Sequence, residues 1–321
     1  MKRTIFASVV MVLVFLESSL VFAKVDLCAT YAELGKTEEA IKECSRQING
    51  KEHVEHVEHA YLNRAIAYQL TNRLDEAIAD FSKAIELDPK DDKVYNNRGN
   101  TYLLKSLPDK AIADFDKAIS LNPKNAQAYF NRGLALQTVG KLDDALVDYS
   151  KVIELKPNVD NTYRNRGNIY LTEGHYEQAA ADFTRAVELN PENAEVYNSL
   201  GAIHLFQGQF DKAIDEFTKA IELEQKYDRA YSNRGVAYQA KGSYDQADAD
   251  YRKALDLNPN DASIYYNMAC LYSLKKEIEE SCSWLLKAVD KGYDNWEHMK
   301  KDSDLANIRG VECFKKILDK K

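Results

Sequence analysis

The sequence predicts an all-α fold, an α-solenoid of about eight stacked helix-turn-helix units with a C-terminal capping segment. Two observations predict this fold class. The composition is 45% hydrophobic and 29% charged, with 13 Gly and 6 Pro in 321 residues, which suits long helices. Small, aromatic and proline residues also recur together at a constant interval of about 34 residues, a period typical of stacked repeats. A single helical hairpin cannot bury its apolar face alone, so neighbouring units are expected to stack.

Residues 1–23 differ in character from the rest of the chain. Lys2 and Arg3 precede a mostly apolar run over 5–16, and small or apolar residues end the segment at 21–23. This order predicts a secretory signal peptide that is cleaved at the end of the segment, because the run is shorter than the roughly 20 apolar residues of a membrane span. The alternative is an uncleaved membrane anchor. We therefore expect an exported protein, in a periplasm or secreted.

The repeat is defined by residue types at fixed positions. Small residues allow two helices to approach, an aromatic ring fills the groove between them, and proline ends the second helix. The close-approach glycines are Gly99, Gly133, Gly167, Gly201 and Gly235, and the rings are Phe81, Phe115, Tyr149, Phe183, Phe217 and Tyr251. The turn glycines are Gly35, Gly140, Gly174, Gly208 and Gly242, and the prolines are Pro89, Pro123, Pro157, Pro191 and Pro259.

This arrangement resembles the tetratricopeptide repeat family over residues 24–295. The resemblance implies a right-handed α-solenoid whose first helices line a concave groove, where peptides or helices of partner proteins bind. The expected units are 24–54, 58–91, 92–125, 126–159, 160–193, 194–227, 228–261 and 262–295. Residues 296–321 leave the pattern and are expected to cap the stack with two short amphipathic helices. Their apolar residues are Leu305, Ile308, Phe314, Ile317 and Leu318.

An arginine recurs among packing residues of the first helices, and an aspartate follows each one at a constant distance along the chain. The midpoint of each pair falls at the hairpin turn, so the two residues are level on antiparallel helices. We interpret them as ion pairs, because a planar guanidinium can bond both carboxylate oxygens. The predicted pairs are Arg64–Asp80, Arg98–Asp114, Arg132–Asp148, Arg166–Asp182 and Arg234–Asp250. Both members are replaced in two units, by Leu200 with Glu216 and by Met268 with Trp284.

Five cysteines in an exported chain could form disulfide bonds. The pair Cys28 and Cys44 is centred on the first hairpin turn, and the pair Cys270 and Cys282 is centred on the last. Both pairs are therefore candidate bridges between the helices of a terminal hairpin, and Cys313 is expected to pack in the cap. The alternative is that these residues are buried free thiols.

The expected groove positions carry amides, apolar side chains and two arginines. Amides can bond a peptide backbone whatever its sequence, and apolar residues can anchor an extended segment or an amphipathic helix. The candidate peptide-binding residues are Asn96, Asn100, Phe130, Asn131, Leu134, Arg164, Asn165, Asn168, Asn198, Arg229 and Asn233. The alternative is a solvated polar surface without a single ligand.

Some members of the family hold a C-terminal carboxylate with a set of Lys, Asn and Arg side chains. Arg164, Asn168 and Arg229 match three of these places, whereas Ser199 and Asn233 depart from the set. The resemblance therefore leaves a carboxylate clamp as an open hypothesis.

His53, His56 and His59 are three residues apart with glutamates between them. On a helix they would form a stripe that could bind a transition metal, and the alternative is a solvated extension of that helix.

No nucleophile elbow, phosphate loop or dinucleotide motif occurs in the sequence, so neither catalysis nor a cofactor is expected. The net charge of −8 disfavours nucleic acid as the main partner. The sequence thus predicts a non-catalytic scaffold that binds other proteins and does not insert into a membrane once its signal is removed. A metal- or small-ligand-binding protein that uses the histidine stripe is the alternative.

Overall fold

The computed structural model describes residues 27–50 and 57–319. Within these ranges the chain is helical and contains no strand, and the predicted all-α fold of helical hairpins is confirmed. The chain divides into two compact units, with the boundary between Val139 and Gly140. The predicted signal peptide lies outside the described residues.

The first unit consists of successive helices joined by short turns. Its helices are α1 (Leu27–Glu33), α2 (Thr37–Asn49), α3 (Val57–Leu70), α4 (Leu74–Leu87), α5 (Asp92–Leu104), α6 (Pro108–Leu121) and α7 (Ala126–Thr138). Helix α1 packs against α2, α3 against α4, and α5 against α6, so that each pair forms an antiparallel hairpin. Helix α7 packs on α6 and α5.

The second unit continues the pattern. Its helices are α8 (Leu142–Leu155), α9 (Asp160–Thr172), α10 (Tyr176–Leu189), α11 (Ala194–Phe206), α12 (Phe210–Leu223), α13 (Asp228–Ala240), α14 (Tyr244–Leu257), α15 (Ala262–Leu274), α16 (Ile278–Asp290), α17 (Trp296–Lys301) and α18 (Glu312–Leu318), with a short 3-10 helix at Ser303–Leu305. The hairpins are α9 with α10, α11 with α12, α13 with α14, and α15 with α16.

The two helices of a hairpin approach most closely where a glycine faces an aromatic ring. A Cβ atom on Gly99 would lie 2.7 Å from Cε1 of Phe115, and one on Gly235 would lie 2.6 Å from Cε1 of Tyr251. Both rings are fully buried. Any side chain at these glycines would therefore push the helices apart or force the ring to move.

One residue with positive φ reverses the chain between the helices of each hairpin. Gly174 and Gly242 both have a φ of 78°, a region that glycine enters freely. Asn72, Ser106 and Lys276 adopt the same conformation at equivalent turns, with φ of 60°, 58° and 63°. This conformation costs about 1–2 kcal/mol for residues with a Cβ atom. The packing of the two helices therefore fixes the turn even where glycine is absent.

The first helices of neighbouring hairpins pack against each other within each unit. Helix α1 contacts α3, α3 contacts α5, and α5 contacts α7, while α13 contacts both α11 and α15. The second helices of neighbouring hairpins approach one another less closely in the described chain. Because a stack of hairpins curves toward the side on which its helices are closer, the first helices form the inner side. We call the surface of the first helices the inner face.

The residues after α16 form the end of the second unit. The apolar side chains predicted for this segment share one core with α15 and α16, in which four are buried and Leu318 is partly buried. The buried residues of this core include Tyr266, Ala269, Leu285, Ala288, Met299, Leu305, Ile308, Phe314 and Ile317.

The cysteines form one bridge of the predicted kind and one that differs from the prediction. The sulfur atoms of Cys28 and Cys44 are within bonding distance, and their Cα atoms are 4.8 Å apart. The predicted Cys270–Cys282 bridge is wrong, because Cys282 is bonded to Cys313 of α18, with Cα atoms 6.1 Å apart. Cys270 is a buried free thiol whose Sγ lies 3.5 Å from Oδ2 of Asp302. Equal height on two helices does not fix the direction in which their side chains point.

We expect one free thiol when the unreduced protein is denatured and titrated with a thiol reagent. Cys270 is the only one of the five cysteines that the structure leaves unbridged. The Cys270→Ala variant should give none, and prior reduction of the wild type should give all five. Three free thiols in the unreduced protein would show that one of the two bridges is missing, and five would show that both are.

Candidate functional site

Four of the predicted arginine–aspartate pairs are bidentate ion pairs in the structure. Nε and Nη2 of Arg98 both donate to Asp114, each at 2.8 Å. Each of these aspartates is buried, and the arginine side chains are 15–19% exposed. The hydrogen bonds to Asp114 raise the pKa of Arg98 above its ordinary value. The other three pairs are Arg64–Asp80, Arg166–Asp182 and Arg234–Asp250.

The same guanidinium groups make a third contact, which the arginine–aspartate spacing does not predict. Nη1 of Arg98 donates to Oγ of Ser82, on the second helix of the preceding hairpin, at 3.0 Å. Ser150 and Thr218 occupy the equivalent place for two further arginines. These residues recur at multiples of the repeat period, which is the signal that could have identified them. Each such arginine therefore joins its own hairpin to the one before it.

Arg132 finds a carboxylate instead of a hydroxyl on the preceding hairpin, and two further hairpins lack the arginine at this place. Nη1 of Arg132 donates to Oδ1 of Asp116 at 2.6 Å. Its predicted partner Asp148 lies in the second unit, and that pairing stays a prediction. At the place of Met268 and Trp284, the cation comes from Arg252 of the preceding hairpin, which stacks on Trp284 at 5.9 Å and donates to Tyr272 Oη at 2.8 Å.

The hairpin with Leu200 and Glu216 has no guanidinium at the equivalent place. Glu216 is half-buried, and burial, followed by the neighbouring Asp215, raises the pKa of its carboxyl. In the same hairpin the half-buried His204 has no hydrogen-bond partner at Nδ1. Burial lowers the pKa of His204, and Lys212 lowers it further. This histidine packs in the hairpin.

Several candidate amides of the inner face bond to one another. Nδ2 of Asn131 donates to Oδ1 of Asn96 at 3.0 Å, and both residues are buried. Nε2 of Gln127 donates to Oδ1 of Asn131 at 2.9 Å. In the second unit, Nδ2 of Asn233 donates to Oδ1 of Asn198 at 3.0 Å. The amides of these four asparagines join neighbouring first helices, and their binding of a peptide stays a prediction.

The remaining candidates of the second unit lie on different helices. Asn165 hydrogen-bonds to Tyr149, and Arg164 and Asn168 are half-buried on α9. Nη1 of Arg164 is 3.9 Å from Glu195 Oε2, and its buried Nε has no hydrogen-bond partner. Arg229 is exposed on α13, with its guanidinium 5.5 Å from the ring centre of Tyr227. The hairpin of α11 separates α9 from α13, so the described contacts do not bring the clamp residues together.

The inner face of the first unit carries half-buried candidate residues and, near the ends of its helices, exposed leucines. The candidates Asn100 and Leu134 occupy equivalent places on α5 and α7, and Phe130 lies one turn before Leu134; all three are half-buried. Leu70 and Leu104 end their helices and are 66% and 57% exposed. Leu34 follows α1 and is 65% exposed. Leu70 and Leu104 are one period apart, which is the signal in the sequence that could have identified them.

His59 is the one member of the predicted histidine stripe within the described chain. It is exposed in the first turn of α3, whereas His53 and His56 lie outside the described residues. No group of three or more His, Cys, Asp or Glu side chains is arranged to hold a metal ion within 27–50 and 57–319. None of the helices described is both long and apolar enough to span a bilayer.

Three sequence models of the tetratricopeptide repeat match this chain. One matches residues 59–91, 92–125, 126–159 and 228–261, another matches 164–233, and the third matches 250–283. Together the matches cover well over half of the sequence. The chain belongs to the tetratricopeptide repeat family.

Solved structures of other tetratricopeptide repeat (TPR) proteins are similar to this one. YrrB, described as a TPR protein with an unusual peptide-binding site, is 26% identical, and the match covers 57% of this chain and 94% of YrrB with a TM-score of 0.53. A MamA protein is 27% identical over 55% of this chain and 96% of its own, with a TM-score of 0.51. No curated protein sequence matches.

A TPR protein from Cytophaga hutchinsonii supports the fold alone. Its C-terminal part is 19% identical, and the match covers 73% of this chain and 100% of that part, with a TM-score of 0.60. The tetratricopeptide fold of the present chain therefore rests on both sequence and structure.

The ion pairs predict that Asp114→Ala costs more stability than the double variant Arg98→Leu, Asp114→Leu. Removing the carboxylate leaves a largely buried guanidinium without its partner, which costs about 3 kcal/mol. Two leucines leave no unpaired charge and should cost clearly less. Urea unfolding followed by circular dichroism measures both variants, and equal losses of unfolding free energy would refute the role given to the pair.

Glu216→Gln should stabilise this tetratricopeptide repeat protein at pH 7 and not at pH 3. The folded protein holds the proton of Glu216 more tightly than the unfolded chain does. Ionising the carboxyl therefore destabilises the fold as pH rises through the unfolded and then the folded pKa, and glutamine removes this effect. We expect the melting temperature to rise by about 1–3 °C at pH 7.

The exposed Glu224 of the same unit supplies the control, since Glu224→Gln should leave the melting temperature nearly unchanged at both pH values. An equal gain at pH 3 and pH 7 from Glu216→Gln would show that burial of its charge is not the cause.

Proposed function

We propose that this protein is a non-catalytic scaffold that binds a peptide or helix of a partner protein on its inner face. One observation carries the proposal. Leu70 and Leu104 stand at equivalent positions at the ends of α3 and α5, and Leu34 lies at the turn after α1; these three first helices contact one another in order, and each leucine is more than half exposed. Exposed apolar side chains that adjoin one another mark interaction sites in soluble proteins.

The residues one turn before these leucines extend the surface. Ile66 precedes Leu70 by four residues and Asn100 precedes Leu104 by four, so each pair shares a helix face. Leu134 holds the same place as Ile66 and Asn100 on the next first helix. The surface thus offers a half-buried row that includes Ile66, Asn100 and Leu134, beside an exposed row of leucines. An extended segment or amphipathic helix with regularly spaced apolar residues fits such a surface.

The similarity to YrrB supports peptide binding, since that protein is described as having a peptide-binding site. The side-chain amides of Asn96, Asn131, Asn198 and Asn233 bond one another and hold the inner face together, so we assign recognition of the partner mainly to other residues. The partner is therefore recognised mainly through apolar side chains and through the open polar residues Asn100 and Asn168. The acidic net charge of −8 favours protein over nucleic acid as the partner.

We propose further that the protein acts after export, in the assembly of complexes in a cell envelope. The layout of residues 1–23 supports export. The bonded cysteine pairs Cys28–Cys44 and Cys282–Cys313 support an oxidising compartment, where such bridges persist.

Selection of displayed peptides tests this function. Random 16-residue peptides on phage would be selected against residues 24–321, and the strongest would be synthesised and their Kd measured by fluorescence anisotropy. We expect peptides with apolar residues at helical or alternating spacing. Replacing Leu34, Leu70 and Leu104 together with glutamate should weaken binding at least about tenfold, since each loses an apolar contact and adds a charge.

A matched control variant carries three glutamates on the second helices of the same unit, at the exposed positions Ala79, Leu87 and Ala113. It should bind with unchanged Kd. Selected peptides that bind both variants as tightly as the wild type would place the binding surface elsewhere and contradict the proposal.

A further inference from the structure

Residues 302–308 lie against the inner face of the last two hairpins. Tyr266 Oη donates to Oδ2 of Asp302 at 2.6 Å, and Gln239 Nε2 donates to Oδ2 of Asp304 at 2.9 Å. The side chains of Leu305 and Ile308 are fully buried. We call this stretch the tail segment. The segment contacts the first helices of two consecutive hairpins, α13 and α15, and is not confined to the last hairpin.

The positions that the tail segment contacts in the second unit are equivalent to inner-face positions of the first unit that adjoin the exposed leucines. Gln239 holds on α13 the place that Leu103 and Gln137 hold in the first unit, and Ser273 holds it on α15. The Ser273 backbone carbonyl accepts a hydrogen bond from Nδ2 of Asn307 at 2.8 Å. The tail segment therefore covers the inner face in the place that a bound partner would take.

The surface under the tail segment is organised to receive an acidic side chain. Tyr251 Oη donates to Oε1 of Gln239 at 3.0 Å, which turns the amide nitrogen of Gln239 toward Asp304. Asp304 is half-buried, and burial, followed by the negative charge of Asp302 two residues earlier, raises the pKa of its carboxyl. A half-buried carboxyl that lost this donor would be destabilised. Gln239 is thus a specific hydrogen-bond donor to Asp304.

The cap holds the tail segment close to its surface. Cys313 follows the segment on α18 and is bonded to Cys282 of α16, while α16 follows directly on α15. Tethered in this way, the segment acts at an effective concentration of about millimolar or more. A free partner segment of the same chemistry would have to exceed that value to displace it.

We propose that the tail segment is a built-in ligand of the inner face, and that a partner bound there carries the same chemistry. The partner's segment would have two acidic residues separated by one other residue, a leucine directly after the second, and an isoleucine or similar residue three positions after the leucine. This inference rests on the proposed function, because it identifies one subsite of the surface and its occupant. Binding of the partner at this subsite requires displacement of the tail segment.

A labelled peptide of residues 300–311 (KKDSDLANIRGV) supplies the probe. Fluorescence anisotropy would measure its Kd for residues 24–321 as wild type and as the Asp304→Ala, Leu305→Ala variant. Weakening the resident segment should free the surface, so the variant should bind the peptide at least about tenfold more tightly than the wild type. Adding Gln239→Leu to the variant should reverse this gain, whereas Gln246→Leu, at an exposed position of α14, should not.

Because Leu305 is buried, the double variant could lose its fold, and circular dichroism would detect this. Asp304→Ala alone then serves, since it removes the bond to Gln239 and leaves the apolar core intact. It should still bind the peptide about threefold or more tightly than the wild type. A folded variant that binds no better than the wild type, or whose binding is insensitive to Gln239→Leu, would overturn the inference.

Failure of this inference can be told apart from failure of the proposed function. The variant with glutamate at Leu34, Leu70 and Leu104 alters only the first unit, and it should bind the peptide of residues 300–311 no differently from the wild type when the tail is weakened in both. If the glutamate variant no longer binds the phage-selected peptides but binds the peptide of residues 300–311 unchanged, both the proposed function and the tail inference are supported. The selected peptides binding as proposed, with no capture of the peptide of residues 300–311, would overturn the tail inference alone.

Discussion

In four hairpins of the described chain a single guanidinium group joins three helices. Arg98 bonds both oxygens of Asp114 within its own hairpin and the hydroxyl of Ser82 in the hairpin before it. The glycine contacts bring two helices together, but they do not determine how one hairpin sits on the next. The arginine does both, and the inner face depends on it, because the spacing of equivalent first-helix residues follows from the stacking of the hairpins.

The departures from this arrangement show which part of it is indispensable. The hairpin of α11 and α12 keeps its close glycine contact at Gly201 and Phe217 although Leu200 replaces the arginine. At the last hairpin, Arg252 supplies the cation from the preceding hairpin, and Trp284 provides the ring on which it stacks. Close helix packing therefore persists throughout, while the polar link between hairpins can be omitted or rebuilt from the other side.

Much of the fold could be predicted from the sequence because its causes repeat. The constant period of the small, aromatic and proline residues predicts the hairpins. The equal distances of arginine and aspartate from each turn predict the ion pairs of Arg64, Arg98, Arg166 and Arg234. The bridge between Cys282 and Cys313 could not be predicted in this way, since the cap occurs once and has no period.

The candidate site was harder to predict than the fold. Whether Asn131 faces a partner or Asn96 depends on the rotation of one hairpin against the next, which no spacing within a single repeat reveals. The exposure of Leu70 and Leu104 likewise depends on where each helix ends against its neighbour. The residues that build a hairpin are therefore visible in one repeat, whereas the residues that a partner would meet become visible only in the stack.

The shared place of Ser82, Ser150 and Thr218 bears on how such a chain changes in length. Removing or duplicating one full period brings the next arginine to an equivalent acceptor on the hairpin before it, a hydroxyl such as that of Ser82 or the carboxylate of Asp116. A change of any other length rotates the next helix by about 100° per residue and separates the arginine from its partners. The architecture is thus modular: it tolerates insertions and deletions of whole repeats, so duplication of existing units is the simplest evolutionary route to a longer binding surface.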